Sequence, residues 1–198
     1  MNSNIVELSG VITSELEFSY EKNGECFYTT EISIVRISGA TDKIQLILSD
    51  VNTYVDKPLL GEYVYVVGSI RTHNDKSDGK AHLRVFVYVQ KIRVLDIDGN
   101  IVGENMVHIK GCICKIGNKR KTPLGRTITD TIIACNRLMG NDYIPVIFWG
   151  KSANEVSRLD IGTEIEIFGR LQSRNYIKNN IEHTVYEVSA QSYKEKRK

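Results

Sequence analysis

Cysteine is scarce in this chain: four in 198 residues, Cys26, Cys112, Cys114 and Cys135. A chain of this length with no secretion signal has no need of a disulfide framework. Cys112 and Cys114 form CxC rather than the C-x2-C spacing of zinc sites, and the four His make no H-x3–5-H pair. Small buried thiols are therefore expected, and no metal or cofactor. Long apolar runs are missing too: none approaches the roughly 20 residues that a membrane-spanning helix needs. The start, MNSNIVELSG, has neither a basic beginning nor an apolar stretch, so a cytoplasmic protein is expected. Catalytic motifs are also lacking. GxGxxG, GxxxxGKS/T and HExxH do not occur, and no Ser-His-Asp spacing stands out. DIDG at 96–99 opens like a calcium loop, but the later ligands and the closing Glu do not follow, which leaves a turn. Nothing supports an enzyme.

What the chain does have is itself, twice. Shifted by 101 residues, NIVELSGVI at 4–12 falls on NMVHIKGCI at 105–113, and GEYVYVVGSIRTHN at 61–74 on GTEIEIFGRLQSRN at 162–175. Gly10, Gly24, Gly39, Gly61 and Gly68 fall on Gly111, Gly125, Gly140, Gly162 and Gly169 without a gap. Chance likeness between β-rich segments would need several different shifts. A repeat of this period means two copies of one unit. The expected domains are 1–98 and 105–198. The short linker 99–104 sits in DIDGNIVGEN, whose two Gly and three acids suit an exposed connection.

Each copy alternates apolar and polar residues over short runs, as half-buried strands do. Examples are VELSGVI, TTEISIVRI, KIQLILSD, EYVYVVGSI and HLRVFVYVQKI, with counterparts in the second copy. Between the third and fourth strands of that copy, Ala153, Val156 and Leu159 recur at a helical spacing. Five short strands with a helix or loop between strands 3 and 4 predict an all-β fold: two tandem OB-folds, each a Greek-key barrel. The repeated Gly fit barrel corners, where a side chain would clash.

Charge divides the copies. Residues 1–100 hold 10 Lys+Arg and 14 Asp+Glu, a net −4, whereas residues 101–198 hold 16 and 10, a net +6. The basic copy is the one expected to meet an anion. Its loop KIGNKRKTPLGR, 115–126, carries Lys115, Lys119, Arg120, Lys121 and Arg126; the matching SELEFSYEKNGE has four Glu and one Lys. A second basic and aromatic cluster, GRLQSRNYIK, offers Arg170, Arg174, Tyr176 and Lys178. In an OB-fold these are expected to be the loops between strands 1 and 2 and between strands 4 and 5, which flank the binding face. Basic grooves with stacking rings hold single strands without reading sequence. The competing reading is a solvated charge run that keeps the domain soluble. The terminal KEKRK is expected to add only nonspecific attraction to phosphate.

The run DYIPVIFWGK, 142–151, splits by parity. Ile144, Val146 and Phe148 make a core face; Tyr143, Pro145, Ile147 and Trp149 point the other way. Tyr143 is expected to stack on a base, and Trp149 either does so or covers the barrel end or a seam between the copies. Pro145 cannot donate to a ladder and so suits an edge or bulge. Under the single shift, Asp42 is expected opposite Tyr143 and Leu48 opposite Trp149.

Residues 105–193 resemble the bacterial single-stranded DNA-binding protein family through NMVHIKGCICK, TPLGRTITDTIIACNR, DYIPVIFWGKSANEV, GTEIEIFGRLQSRNY and VYEVSAQS. The first copy matches more loosely. The resemblance implies an OB-fold that wraps single-stranded DNA in replication, repair and recombination, with four OB-folds working together. Two per chain then implies a homodimer. It also implies that Tyr143 stacks on bases, that the basic residues of 115–126 and 170–178 follow the backbone, and that Lys151 closes a WGK element. The family generally ends in a Gly/Pro-rich tail with an acidic tip. This chain ends at KEKRK, so recruitment of replication proteins by such a tail is not expected. Two other readings remain: a protein like primosomal replication protein N, and an OB-fold scaffold that binds protein rather than nucleic acid. RNA would suit the same rings and charges.

Overall fold

A computed structural model describes residues 4–51, 53, 58–75, 79, 82–96, 103–178 and 181–196, without the side chains of 176–183. The strands are β1 (Asn4–Ile12), β2 (Glu17–Lys22), β3 (Glu25–Val35), β4 (Thr41–Ser49), β5 (Tyr63–Asp75) and β6 (His82–Val94), then β7 (Asn105–Ile116), β8 (Arg120–Lys121), β9 (Thr127–Arg137), β10 (Gly140–Trp149), β11 (Glu164–Lys178) and β12 (Ile181–Glu195). One helix, α1 (Gly150–Val156), follows β10 and buries Ala153 and Val156; Leu159 lies beyond it and packs on the core only partly buried.

The strand order is β2-β3-β4-β6-β5-β1-β7-β11-β12-β10-β9-β8, and extra pairings of β1 with β3 and β7 with β9 close each half into a barrel. In both halves the third and fifth barrel strands pair in parallel, Leu46 with Val87 and Val146 with Val188. These are two tandem OB-folds, with one added outer strand each (β2 and β8) inside what the sequence presents as a loop. No helix among the described residues is long and apolar enough to cross a membrane.

The apolar parity of the strands fills the barrels. Val6, Leu8, Ile12, Ile32, Ile44, Leu46, Val64, Val66 and Ile70 are buried in the first, and Val107, Ile109, Ile113, Ile133, Ile144, Val146, Phe148, Ile165 and Leu171 in the second. Four of the repeated Gly mark places where strands cross too closely for a side chain. A Cβ on Gly10 would sit 2.3 Å from the Ser33 carbonyl oxygen, and one on Gly111 2.3 Å from that of Ala134. On Gly68 it would meet Tyr88 O at 2.4 Å, and on Gly169 Ser189 O at 2.3 Å. Gly68 and Gly169 also follow equivalent bulges, after Val67 and after Phe168. Because the obstacle is backbone, it cannot move aside. Gly111→Ala is expected to destabilise the fold by about 2–3 kcal/mol in urea unfolding. A loss below about 0.5 kcal/mol would show that the β7–β9 crossing has slack.

The barrels join through β1 and β7, which pair antiparallel from Asn4↔Ile109 to Leu8↔Asn105. Val6 faces Val107, its own equivalent at the shift of 101, so the joint has an internal two-fold through that rung. The repeat explains the two Asn. Asn4 Nδ2 donates to Ile70 O (2.7 Å) and its Oδ1 accepts from Ile70 N (2.9 Å). Asn105 does the same with Leu171, at 2.6 and 2.8 Å. Of the connector, 97–102 lies outside the described residues. Gly103 and Glu104 are not a free link: Gly103 N donates to Val35 O, and a Cβ on Gly103 would lie 2.4 Å from Ser9 O.

Two sequence expectations are corrected here. The shift of 101 drops to 100 in the third barrel strand. Ile34 pairs with Asp42 and Cys135 with Asp142, because five residues separate the paired Val35 and Thr41 but four separate Asn136 and Asn141. Asp142, Tyr143, Phe148 and Trp149 are thus the counterparts of Asp42, Lys43, Leu48 and Ser49. The cysteines are not uniformly buried. Cys112 and Cys114 are exposed on the outer face of β7, Cys26 is intermediate, and only Cys135 is buried. The Cys135 thiol is pushed up to about 12, by burial first and then by Asp142.

Candidate nucleic-acid interface

On β9 and β10 the core parity leaves a second set pointing outward. The rungs are Tyr143↔Ala134, Pro145↔Ile132, Ile147↔Asp130 and Trp149↔Ile128. Residues opposite one another on a pair point to the same face. That face carries Pro145, Ile132, Ile147 and Ile128 between Tyr143 at one end and Trp149 at the other; Pro145 and Ile132 are partly open, whereas Ile147 and Ile128 are buried. Tyr143 is 45% exposed. Trp149 is half-buried, and its indole Nε1 donates to Ser189 Oγ on β12 (3.0 Å), which pins the edge of the ring. Sequence parity finds the two rings but not the β9 residues between them. The signal lies in the alternate residues of TITDTIIACNR, which need the β9–β10 register before they can be assigned to this face.

Pro145 costs the ladder nothing. Backbone N–H groups alternate sides along a strand. That of Tyr143 points away from β9 and donates to Thr72 Oγ1 of the first barrel (2.8 Å). Pro145 has the same parity, so its missing donor would also have faced away from β9. The parallel contact with β12 begins one residue later, at Val146.

The basic residues of 115–126 gather at the far side of β9. Lys115 sits at the end of β7 opposite Ile132, after a bulge at Cys114. Lys119, Arg120 and Lys121 occupy the short loop and β8, and Arg126 closes a turn in which its N–H donates to Thr122 Oγ1 (3.1 Å). All five are exposed. Arg120 lies on the same rung as Ile128 and Trp149, two strand spacings, roughly 10 Å, from the Trp. Its guanidinium is spent on Asp130, with Nε–Oδ2 at 3.0 Å and Nη2–Oδ1 at 3.1 Å. Lys151 stands on α1 beside Trp149, 91% exposed, with Glu155 3.7 Å away.

The second basic cluster is not a loop. Residues 169–178 belong to β11, which pairs with β12 from Gly169↔Ala190 to Lys178↔Ile181 in unbroken register. Arg170 is removed from the rim altogether. It is half-buried at the seam between barrels, and burial first, then Arg36, pulls its guanidinium pKa down against the opposing pull of Asp42. Its Nε is buried and without a hydrogen-bond partner. Arg174 is exposed on β11, 3.9 Å from Glu187. The side chains of Tyr176 and Lys178 lie outside the described residues.

The seam holds the interface in place. Asp142, 1% exposed, accepts from Arg71 Nη1 (2.8 Å) and from Thr72 N (2.9 Å) of the first barrel. Its counterpart Asp42, also buried, takes a bidentate contact from Arg36 and accepts from Ser173 N of the second barrel (3.1 Å).

Residues 104–195 match the single-strand binding protein family. Those residues span β7 to β12, the second barrel. The match contains the whole outer face of β9 and β10 and the basic hairpin. Single-stranded DNA-binding protein 2 of Streptococcus agalactiae serotype V is 32% identical over 81 residues, 37% of this chain and 62% of that protein. The serotype III protein of the same name is 31% identical over the same lengths. The chain thus spans about three fifths of the length of those relatives. The wild-type single-stranded DNA binding protein from Thermus aquaticus superposes with a TM-score of 0.80 at 20% identity, covering 98% of this chain and 93% of that one. A deletion mutant of the Thermus protein gives 0.76 at the same identity, covering 98% and 95%. At that identity the likeness shows a shared fold, the tandem pair of OB-folds.

Proposed function

We propose that the chain binds single-stranded DNA without reading its sequence, as a non-catalytic cytoplasmic protein of DNA replication, repair or recombination. One observation carries this reading. The outward face of β9 and β10 carries an exposed ring at one end and a half-buried ring at the other, with the partly open Pro145 and Ile132 between them, and it runs into a hairpin of four exposed cations that no carboxylate pairs among the described residues. Rings take bases by stacking, at roughly 1–3 kcal/mol each, and the hairpin takes phosphates. The names of the family and of the similar proteins agree with it. Tyr143, Trp149, Lys115, Lys119, Lys121, Arg126 and Lys151 are the residues assigned to the strand. Arg174, Tyr176 and Lys178, on the β11–β12 hairpin, would extend the path, and Arg170 belongs to the seam.

The reading includes pairing of two chains into four OB-folds. Strands β6-β5-β1-β7-β11-β12 form one continuous six-stranded surface, on which Met106 is 54% exposed and Phe168, stacked on His108, is 36% exposed. An isologous contact across this face suits a homodimer.

The test is a titration with oligo-dT that follows Trp149 fluorescence, beside a mass measurement of the free protein. Quenching is expected, with log affinity falling linearly against log salt by roughly 0.7 per phosphate contacted. Tyr143→Ala should weaken binding by about tenfold or more. Affinity that ignores salt, or no binding at low salt, rules the reading out. Competition by oligo-U reports any taste for RNA.

A further inference from the structure

The two outer hairpins are chemical opposites. In the first barrel β2 carries Glu17, Phe18, Tyr20 and Glu21, and all six of its residues are exposed. It folds onto β3 through Asn23 and Gly24, whose positive φ values (55° and 80°) make a two-residue hairpin turn. Phe18 is 61% and Tyr20 42% exposed, although Tyr20 stacks on Phe27 (centroids 4.5 Å) and Phe18 meets the edge of Tyr28 (6.0 Å). In the second barrel Arg120 pairs with Ile128 and Lys121 with Thr127, where the first pairs Tyr20 with Phe27 and Glu21 with Cys26. Glu17 and Glu21, like Lys119 and Lys121, make no ion pair among the described residues.

Both hairpins end in an edge strand: β2 pairs only with β3 and β8 only with β9, at opposite ends of the twelve-strand order. Glu17 and Glu21 on the acidic edge thus have no ion-pair partner among the described residues of their own chain. An edge presents unpaired N–H and C=O groups to any strand that suits it.

We propose that copies of this chain dock head to tail, the acidic, aromatic β2–β3 hairpin of one seating against the basic β8 hairpin of the next. The Lys residues meet Glu17 and Glu21, and their ammonium groups lie over the Phe18 and Tyr20 rings. The contact is heterologous, so it propagates rather than closing. It uses a surface distinct from the six-stranded face and does not depend on the chain binding DNA.

The test is sedimentation of the DNA-free protein over a range of concentrations and salt. At low salt, mass is expected to keep growing with concentration past that of a pair of chains, and to stop growing at high salt. Glu17→Lys with Glu21→Lys, and separately Lys119→Glu with Lys121→Glu, should each weaken this association about tenfold or more. At the exchanged positions the first variant then carries lysine on both hairpins and the second glutamate on both, so mixing them in equal amounts should restore it. The neutral pair Glu17→Gln, Glu21→Gln should fall between. The proposal is overturned if the wild type never grows beyond a fixed mass, if either charge reversal associates like wild type, or if two variants with wild-type circular dichroism fail to rescue each other. Photocrosslinking of oligo-dT to Phe18 or Tyr20 in a protein of fixed mass would assign the rings to bases instead.

Discussion

Reversing Lys119 and Lys121 to Glu is expected to lower affinity for oligo-dT about a hundredfold at moderate salt and to flatten the salt slope by about 1.4. Each lost phosphate contact on a single strand removes roughly 0.7 from that slope, and two are removed here. Arg120, next to both, is expected to behave differently. Its guanidinium already satisfies Asp130 through two bonds of 3.0 and 3.1 Å, so Arg120→Ala alone should change affinity only about twofold to fivefold. Arg120→Glu would set two carboxylates against each other and unsettle the hairpin, which confounds a triple reversal. The measurement is a set of isotherms at four or more salt concentrations, repeated on mixed-sequence oligomers. All sequences should lose affinity alike, since phosphate contacts carry no base information. An unchanged slope in the double variant removes the hairpin from the binding path. A loss confined to one sequence would mean that these lysines read bases.

The sequence shows the barrels plainly for a physical reason. At Gly10, Gly111, Gly68 and Gly169 a carbonyl oxygen lies 2.3–2.4 Å from where a Cβ would be, so no other residue fits and the spacing persists. Loop length has no such anchor. The turn at 36–40 has one residue more than that at 137–140, and the gain is returned before Gly61 and Gly162. The outer glycines still align, and the slip in between stays hidden until strands are paired. It matters because it decides which residue faces Tyr143. In the true register the first barrel puts Lys43 and Ser49 where the second has Tyr143 and Trp149. The contrast between ring-bearing and ringless faces survives, but the partners change. Arg170 failed for another reason. GRLQSRN reads as a loop by composition, yet seven cross-strand pairs hold it in a hairpin, and the charges that act on Arg170, those of Arg36 and Asp42, come from about 130 residues away. Local pattern carries no trace of such a contact. The seam aspartates are equally invisible, since nothing marks Asp142 apart from any acidic residue at the start of a strand.

That seam is where a single substitution is expected to cost the most stability. Asp142→Ala would leave Arg71, three-quarters buried, short of its partner at 2.8 Å and Thr72 N–H without its acceptor at 2.9 Å. Removing one member of a buried ion pair costs about 3–5 kcal/mol, because the remaining charge stays desolvated. Asp142→Asn keeps an acceptor for Thr72 N–H and should cost about half as much. The damage should reach the binding face as well. Thr72 Oγ1 accepts from Tyr143 N at 2.8 Å, so loosening Thr72 frees the backbone that aims the Tyr143 ring. Urea unfolding followed by circular dichroism is expected to show the loss and to broaden or split the transition, since the barrels would melt less cooperatively. Trp149, whose ring is tied to Ser189 within the second barrel, reports on that barrel alone. In wild type its fluorescence should follow the same curve as circular dichroism, and in Asp142→Ala it should lag behind. A loss under about 1 kcal/mol with coincident curves would mean that the β1–β7 ladder alone couples the barrels, leaving the buried carboxylates to set their angle rather than their stability.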